Sequence, residues 1–121
     1  MPKSRVLIVD DDERILDQLV LAFEEAGFDV ATATDASGAH MVLSDNQAIS
    51  LVVTDIGIRG SVNGLMLGHM VAQSYPEIPI IIISGLARPD DHDVPAGAMF
   101  LAKPVSPYLL VQEAERLLAT P

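Results

Sequence analysis

The sequence has no cysteine, so neither a disulfide framework nor a thiolate metal site is available to it. Basic residues are scarce: seven Lys and Arg stand against seventeen Asp and Glu, giving a formal charge of −10. Binding to a phosphate backbone needs a basic face, so no direct nucleic-acid partner is expected. Long hydrophobic runs are missing as well. Runs such as Ile80 to Ile83 fall well short of the roughly 18 residues a membrane span requires, and no membrane partner is expected. Met1 to Arg5 lead straight into an apolar segment and leave no room for a secretory leader, which makes the cytoplasm the expected location. His40, His69 and His92 lie too far apart to form a metal pair and read as surface or core-edge residues. With no internal repeat, low-complexity tract or linker in view, the 121 residues read as one domain over 1–121.

What is present begins with Arg5-Val6-Leu7-Ile8-Val9-Asp10-Asp11-Asp12. Four consecutive apolar, β-favouring residues read as a strand covered on both faces, as in a parallel sheet. Its polar end then lies at the carboxyl edge of the sheet, where open α/β sheets bind ligands. Adjacent carboxylates repel: at an effective dielectric of about 20, two unit charges roughly 4 Å apart cost on the order of 4 kcal/mol. A hard divalent cation, Mg²⁺ or Mn²⁺, is the natural answer to such oxygen ligands. The competing reading is that the acids merely begin the next helix, where they suit its dipole.

Beyond Asp12, Ile15, Leu16, Leu19, Val20 and Phe23 recur at helical spacing, and Gly27 is a plausible stop. Phe28 to Thr34 reads as a shorter strand near an edge. Asp35 is a candidate cap for a helix through Ala39, Met41, Val42 and Leu43 to about Asp45. Ser50 to Thr54 forms the third strand and ends on Asp55. Three glycines in Ile56 to Gly64 mark a loop. Asn63 is a candidate cap for a helix carrying Leu65, Met66, Leu67, Met70 and Val71, with the methionines as core filler. Ile80 to Ile83 runs into Ser84-Gly85, and Ala98 to Ala102 runs into Lys103-Pro104. Ser106-Pro107 starts a closing helix whose expected buried face is Leu109, Leu110, Ala114, Leu117 and Leu118. Strands alternating with helices at short spacing predict a doubly wound α/β fold with a five-stranded parallel sheet.

Asp10 and Asp11, Asp55, Ser84 and Lys103 thus stand at the carboxyl ends of four strands. In the flavodoxin-like order 2-1-3-4-5 those four strands are contiguous and their terminal groups converge. Taken singly, Ser84 is a turn residue and Lys103 a solvated charge. Taken together, three carboxylates, a hydroxyl and an ammonium at one sheet edge point to chemistry.

The pattern resembles response-regulator receiver domains across nearly the whole chain. The matching pieces are Val6-Leu7-Ile8-Val9-Asp10-Asp11-Asp12, Leu51-Val52-Val53-Thr54-Asp55, Ile82-Ile83-Ser84-Gly85 and Phe100-Leu101-Ala102-Lys103-Pro104. The resemblance implies the strand order 2-1-3-4-5 and a phosphoryl group accepted on Asp55. A histidine kinase or histidine phosphotransfer protein would donate it, and a downstream protein target would read it. It implies Mg²⁺ held by Asp11, Asp55 and the Gly57 carbonyl, with Asp10 acting through water. Ser84 and Lys103 would meet the phosphoryl oxygens, Phe100 would take the aromatic switch position, and Lys103-Pro104 would be a cis peptide.

Three departures from the family pattern stand out. Arg59 replaces a proline in the loop after Asp55, and Gly64 falls nine residues beyond Asp55 instead of eight. The interval between Ser84 and Lys103 is a few residues short and holds Pro89 and Pro95. A full helix does not fit between those prolines, so a shortened helix is expected from Leu86 to Gly97, and with it a monomer or a dimer of non-standard geometry. Phe100 lacks a tyrosine hydroxyl, so an inward rotation there depends on packing.

Two other functions compete. Asp10-x-Asp12 after an apolar strand also resembles haloacid-dehalogenase-like phosphohydrolases, which normally place Thr or Val where Arg14 stands and would leave Asp55 without a role. A receiver-like scaffold that is never phosphorylated is the third reading. Phosphoryl transfer to Asp55, and no catalytic turnover, is the expectation.

Overall fold

The computed structural model describes residues 4–45, 48–58, 63–85, 95 and 97–119. Its centre is β1 (Arg5–Val9), whose Val6, Leu7, Ile8 and Val9 are all buried. Apolar side chains alternate between the two faces of a strand, and helices cover both. Val6 and Ile8 join one core cluster, with α1 (Glu13–Glu25) and α4 (Pro107–Ala119). Leu7 and Val9 join the other, with α2 (Ala36–Ser44) and α3 (Gly64–Ser74). Full burial of each such aliphatic side chain contributes about 1.5–3 kcal/mol, so continuous apolar runs place these strands in the interior.

The sheet has five parallel strands in the order β2-β1-β3-β4-β5, with β2 at Asp29–Ala33, β3 at Ile49–Asp55, β4 at Ile80–Ser84 and β5 at Met99–Ala102. This is the expected flavodoxin-like order. β3 and β4 are buried along nearly their whole lengths, whereas β2 and β5 are half-exposed edges. The shortened helix expected between Leu86 and Gly97 falls almost entirely outside the described residues, as does the middle of the loop after Asp55.

Local signals set the helix ends. Asp12, Asp35 and Asn63 cap α1, α2 and α3, each side chain accepting from backbone N–H groups in the first turn. At the other end of α1, Gly27 takes φ +96°, a left-handed conformation that costs glycine little. There the Phe28 N–H donates to the Phe23 carbonyl and the Gly27 N–H to Glu24, a Schellman closure. The Phe23 and Phe28 rings complete it edge to face at 5.3 Å.

Some expectations about the core need correction. Leu109 is 45% exposed, and Val111 is buried in its place beside Leu110 and Ala114. Both sets fit helical spacing; packing against α1 selects the second. Met66 is exposed rather than core filler.

Candidate functional site

Register brings the strand ends together. Val9 pairs with Thr54, Asp55 with Ile83, and Ser84 with Ala102. Asp10, Asp55, Ser84 and Lys103 therefore emerge side by side along one edge. The Lys103 N–H donates to the Ser84 carbonyl at 2.7 Å, carrying the ladder one residue past β5. From there the Lys103 ammonium reaches across β4 and donates to Asp55 Oδ2 at 2.8 Å. The peptide between Lys103 and Pro104 is cis.

The three consecutive carboxylates divide their work. Asp12 accepts from the Arg14 and Ile15 N–H groups and caps α1. Asp10 is 3% exposed, and its Oδ1 accepts from the Asp12 N–H at 2.9 Å. Burial pushes the Asp10 carboxyl above its ordinary value; the Asp12 hydrogen bond works against that, and the charge of Asp55 adds to it. Asp11 is half-buried, and its charge acts on both Asp10 and Lys103. The reading in which the acids simply begin a helix thus holds for Asp12, while the charges of Asp10 and Asp11 bear on Lys103.

For Lys103 the largest single influence, burial, lowers the ammonium. The Asp55 hydrogen bond and the charges of Asp55, Asp10 and Asp11 together outweigh it and hold the group above its ordinary value. Asp55 is itself clasped by its own loop, since the Gly57 N–H donates to Oδ1 at 3.1 Å. Ser84 is buried at the end of β4. Phe100 is half-buried on β5 and packs against the α2–α3 core cluster.

The oxygens present suit a hard cation. No group of three or more acidic or histidine side chains among the described residues forms a metal cage by itself. Mg²⁺ does not ask for one, because it binds through one or two carboxylates and fills its octahedron with other oxygens. Asp10, Asp11 and Asp55 supply carboxylates around a buried surplus of negative charge, and the Gly57 carbonyl lies in the adjoining loop.

The family model for the response regulator receiver domain matches residues 6–115. The chain belongs to that family. Response regulator receiver protein CpdR of Brucella abortus is 32% identical over 118 residues, covering 95% of this chain and 97% of that protein. A putative NtrX-like response regulator of Rickettsia conorii is 37% identical over 86 residues, covering 70% of this chain. The match takes in only 18% of that longer protein's length. Among solved structures, a CheY-like receiver domain protein of Methanospirillum hungatei superposes with a TM-score of 0.87 at 28% identity, covering 97% of this chain and 94% of that one. The chain is thus a receiver domain of a response regulator in two-component signalling.

One feature of this receiver escaped the sequence reading. Gly64 begins α3 directly behind the loop that follows Asp55, its N–H donating to the Ile56 carbonyl at 2.9 Å. The sequence singles out Gly64 by its spacing from Asp55, but not its close approach to that segment's backbone. Among the described residues no helix is long and apolar enough to cross a membrane.

Proposed function

We propose that this receiver accepts a phosphoryl group on Asp55 and that the modification switches its contacts with other proteins. The donor is a phosphohistidine on a histidine kinase or a histidine phosphotransfer protein. An Asp55 carboxylate oxygen forms the new O–P bond as the N–P bond to the donor imidazole breaks. The bonding pair stays on the imidazole nitrogen, which returns to its neutral form by exchanging a proton with solvent. A carboxylate is a weak nucleophile, and phosphoryl transfer asks mainly for positioning and charge neutralisation.

One observation carries the reading: the Lys103 ammonium lies 2.8 Å from Asp55 Oδ2, where it can follow the charge onto a phosphoryl oxygen. Ser84, at the end of the neighbouring strand, offers its hydroxyl to a second oxygen. Asp10, Asp11, Asp55 and the Gly57 carbonyl would hold Mg²⁺, or Mn²⁺ in its place. When bound, the cation neutralises the carboxylates and the incoming phosphoryl charge. Without a cation, three carboxylates face one ammonium, and the surplus negative charge opposes a phosphodonor. Phosphorylation replaces a single negative charge with about −2. Ser84 and the half-buried Phe100 are the groups placed to respond.

In this reading the chain acts as a single receiver unit and a phosphoacceptor, not a turnover enzyme, although slow self-dephosphorylation is compatible with it. Output passes through a downstream protein, since a chain of charge −10 is poorly suited to nucleic acid. The location is cytoplasmic, where a kinase finds its ATP. Intact-mass spectrometry after exposure to acetyl phosphate or a phosphorylated kinase, with and without Mg²⁺, tests the proposal. One phosphoryl group should appear with Mg²⁺ and be absent from Asp55→Asn. A gain that survives in that variant, or no gain with any donor, would overturn it.

A further inference from the structure

The two helical layers differ in what they show to solvent. α1 exposes Glu13, Arg14, Asp17, Glu24 and Glu25 around Leu21, and α4 exposes Glu115 and Arg116 besides Tyr108 and Leu109, so its apolar positions are set among charges. On the opposite layer, α2 exposes Ser37, His40, Met41 and Ser44. α3 exposes Met66, His69, Gln73 and Ser74. Neither outward face carries an Asp, Glu, Lys or Arg. A surface helix normally turns charged residues to water, and this chain has seventeen acidic residues to distribute. Each neutral face instead holds out a methionine, Met41 at 69% exposure and Met66 at 50%. Methionine is an adaptable contact residue on binding surfaces. Acidic residues return at the margins, with Asp35 and Asp45 at the two ends of α2 and Glu77 shortly after α3. An uncharged centre inside a charged rim is the composition of an interface.

We propose that the α2–α3 face is a self-association surface on which a second copy of this chain docks about a two-fold axis. Charge selects this occupant. Two copies that each carry −10 repel one another over most of their surfaces, and like charges brought together across an interface are costly. The α2–α3 face lets two copies meet without that juxtaposition. A two-fold contact sets a patch against itself, so a neutral patch is automatically compatible with its copy. A basic partner protein would instead find its complement on the acidic faces. The contact is small: α2 has 9 residues and α3 has 11, so each is only about 15 Å long. Two helices of that length offer less than the roughly 800 Å² per partner of a standard interface. The dimer is therefore weak and concentration-dependent.

Sedimentation velocity and small-angle scattering on the chain, from about 10 µM to about 1 mM, read this directly. The expected result is a dimer fraction that grows with concentration and also with salt, because salt screens the repulsion between the acidic rims. Met41→Glu and Met66→Glu should each weaken association on the order of tenfold. Leu21→Glu, an equally exposed apolar position on α1, should leave it unchanged. Circular dichroism confirms that each variant is folded. Because the chain has no cysteine, a spin label on Ser37→Cys is unique, and it should broaden α2 and α3 amides of an unlabelled, isotope-enriched copy. A monomer throughout the range would overturn the proposal and leave this face to a different protein. So would a dimer that salt weakens, that survives both methionine variants, or whose label broadens α1 or α4.

Discussion

A Cβ on Gly64 would fall 2.0 Å from the carbonyl oxygen of Asp55 and 2.8 Å from the Cα of Ile56. Both are backbone atoms, so no rotamer change relieves the contact. The first turn of α3 therefore rests against the chain segment that aims Asp55, and only a residue without a side chain permits that approach. Gly64→Ala should lose more than about 3 kcal/mol of stability, or survive by shifting the loop and lose phosphoacceptance at Asp55. Gly57→Ala is the control, because its Cβ would meet only Asp55 Oδ1, at an ordinary 3.8 Å. Chemical denaturation of both variants, with phosphorylation yield measured alongside, separates the two positions. A Gly64→Ala protein as stable and as reactive as its parent would show the contact to be unimportant.

Asp12 is bound to α1 and not to the chemistry. Its carboxylate accepts the Arg14 N–H at 3.0 Å and sits at the N-cap. Asp12→Ala should therefore cost about 1 kcal/mol, the usual loss for a cap of this kind. Phosphorylation yield at saturating Mg²⁺ should stay close to the parent's. A large fall in yield, with the fold intact, would move Asp12 into the reactive group.

How much of this was legible in the sequence depended on which force sets each feature. β1, β3 and β4 were legible because strands buried on both faces leave almost continuous apolar runs. The Asp55–Lys103 pairing followed once strand ends were aligned, since the two groups need only stand at the same edge. The separation of Asp10 and Asp11 from Asp12 came from the resemblance and not from periodicity, because one strand end and one helix cap overlap within three residues. The closeness of Gly64 to Asp55 was not legible, since it depends on the path of a loop rather than on any periodicity. Leu109 and Val111 exchanged places because the helical pattern allows two rotations that differ only in how they meet α1.

Asp10 carries a pH signature. Its carboxyl lies above the ordinary value chiefly because it is buried, with the Asp55 charge adding to the effect. A group whose pKa rises on folding favours the fold when protonated. Its contribution is complete below the unfolded value and disappears as pH climbs through the folded one. At neutral pH, in the absence of metal, the Asp10 carboxylate is thus a net burden on the fold. Asp10→Asn should raise the Tm at pH 7 in EDTA and flatten the loss of stability across the mildly acidic range. The same substitution should weaken stabilisation by Mg²⁺, which acts through ligand binding to the folded state. Thermal unfolding across pH, with EDTA and with Mg²⁺, checks both signs. An Asn variant less stable than the parent at pH 7 in EDTA would show that burial costs this carboxylate little.

In the proposed site, Lys103 and a divalent cation would share the Asp55 carboxylate. The ammonium lies 2.8 Å from Asp55 Oδ2, and the pair is largely shielded, with side-chain exposures of 31% and 12%. A positive charge so close disfavours a second cation on that carboxylate, by Coulomb's law at moderate effective dielectric. Lys103→Ala should therefore bind Mg²⁺ several-fold more tightly than the parent by calorimetric titration at fixed ionic strength. Its phosphorylation yield should nonetheless fall, because the ammonium no longer meets the phosphoryl oxygens. The two readouts move in opposite directions, which a general loss of structure would not produce. The stability linkage has its own sign. Lys103 is held above its ordinary value, so its contribution is complete at neutral pH and is lost only as pH rises through the elevated folded value. The stability gap between parent and Lys103→Ala should accordingly stay constant through neutral pH and narrow only in strong alkali. Weaker Mg²⁺ binding in Lys103→Ala, with the fold intact, would show that the lysine organises the cation site rather than competing with it.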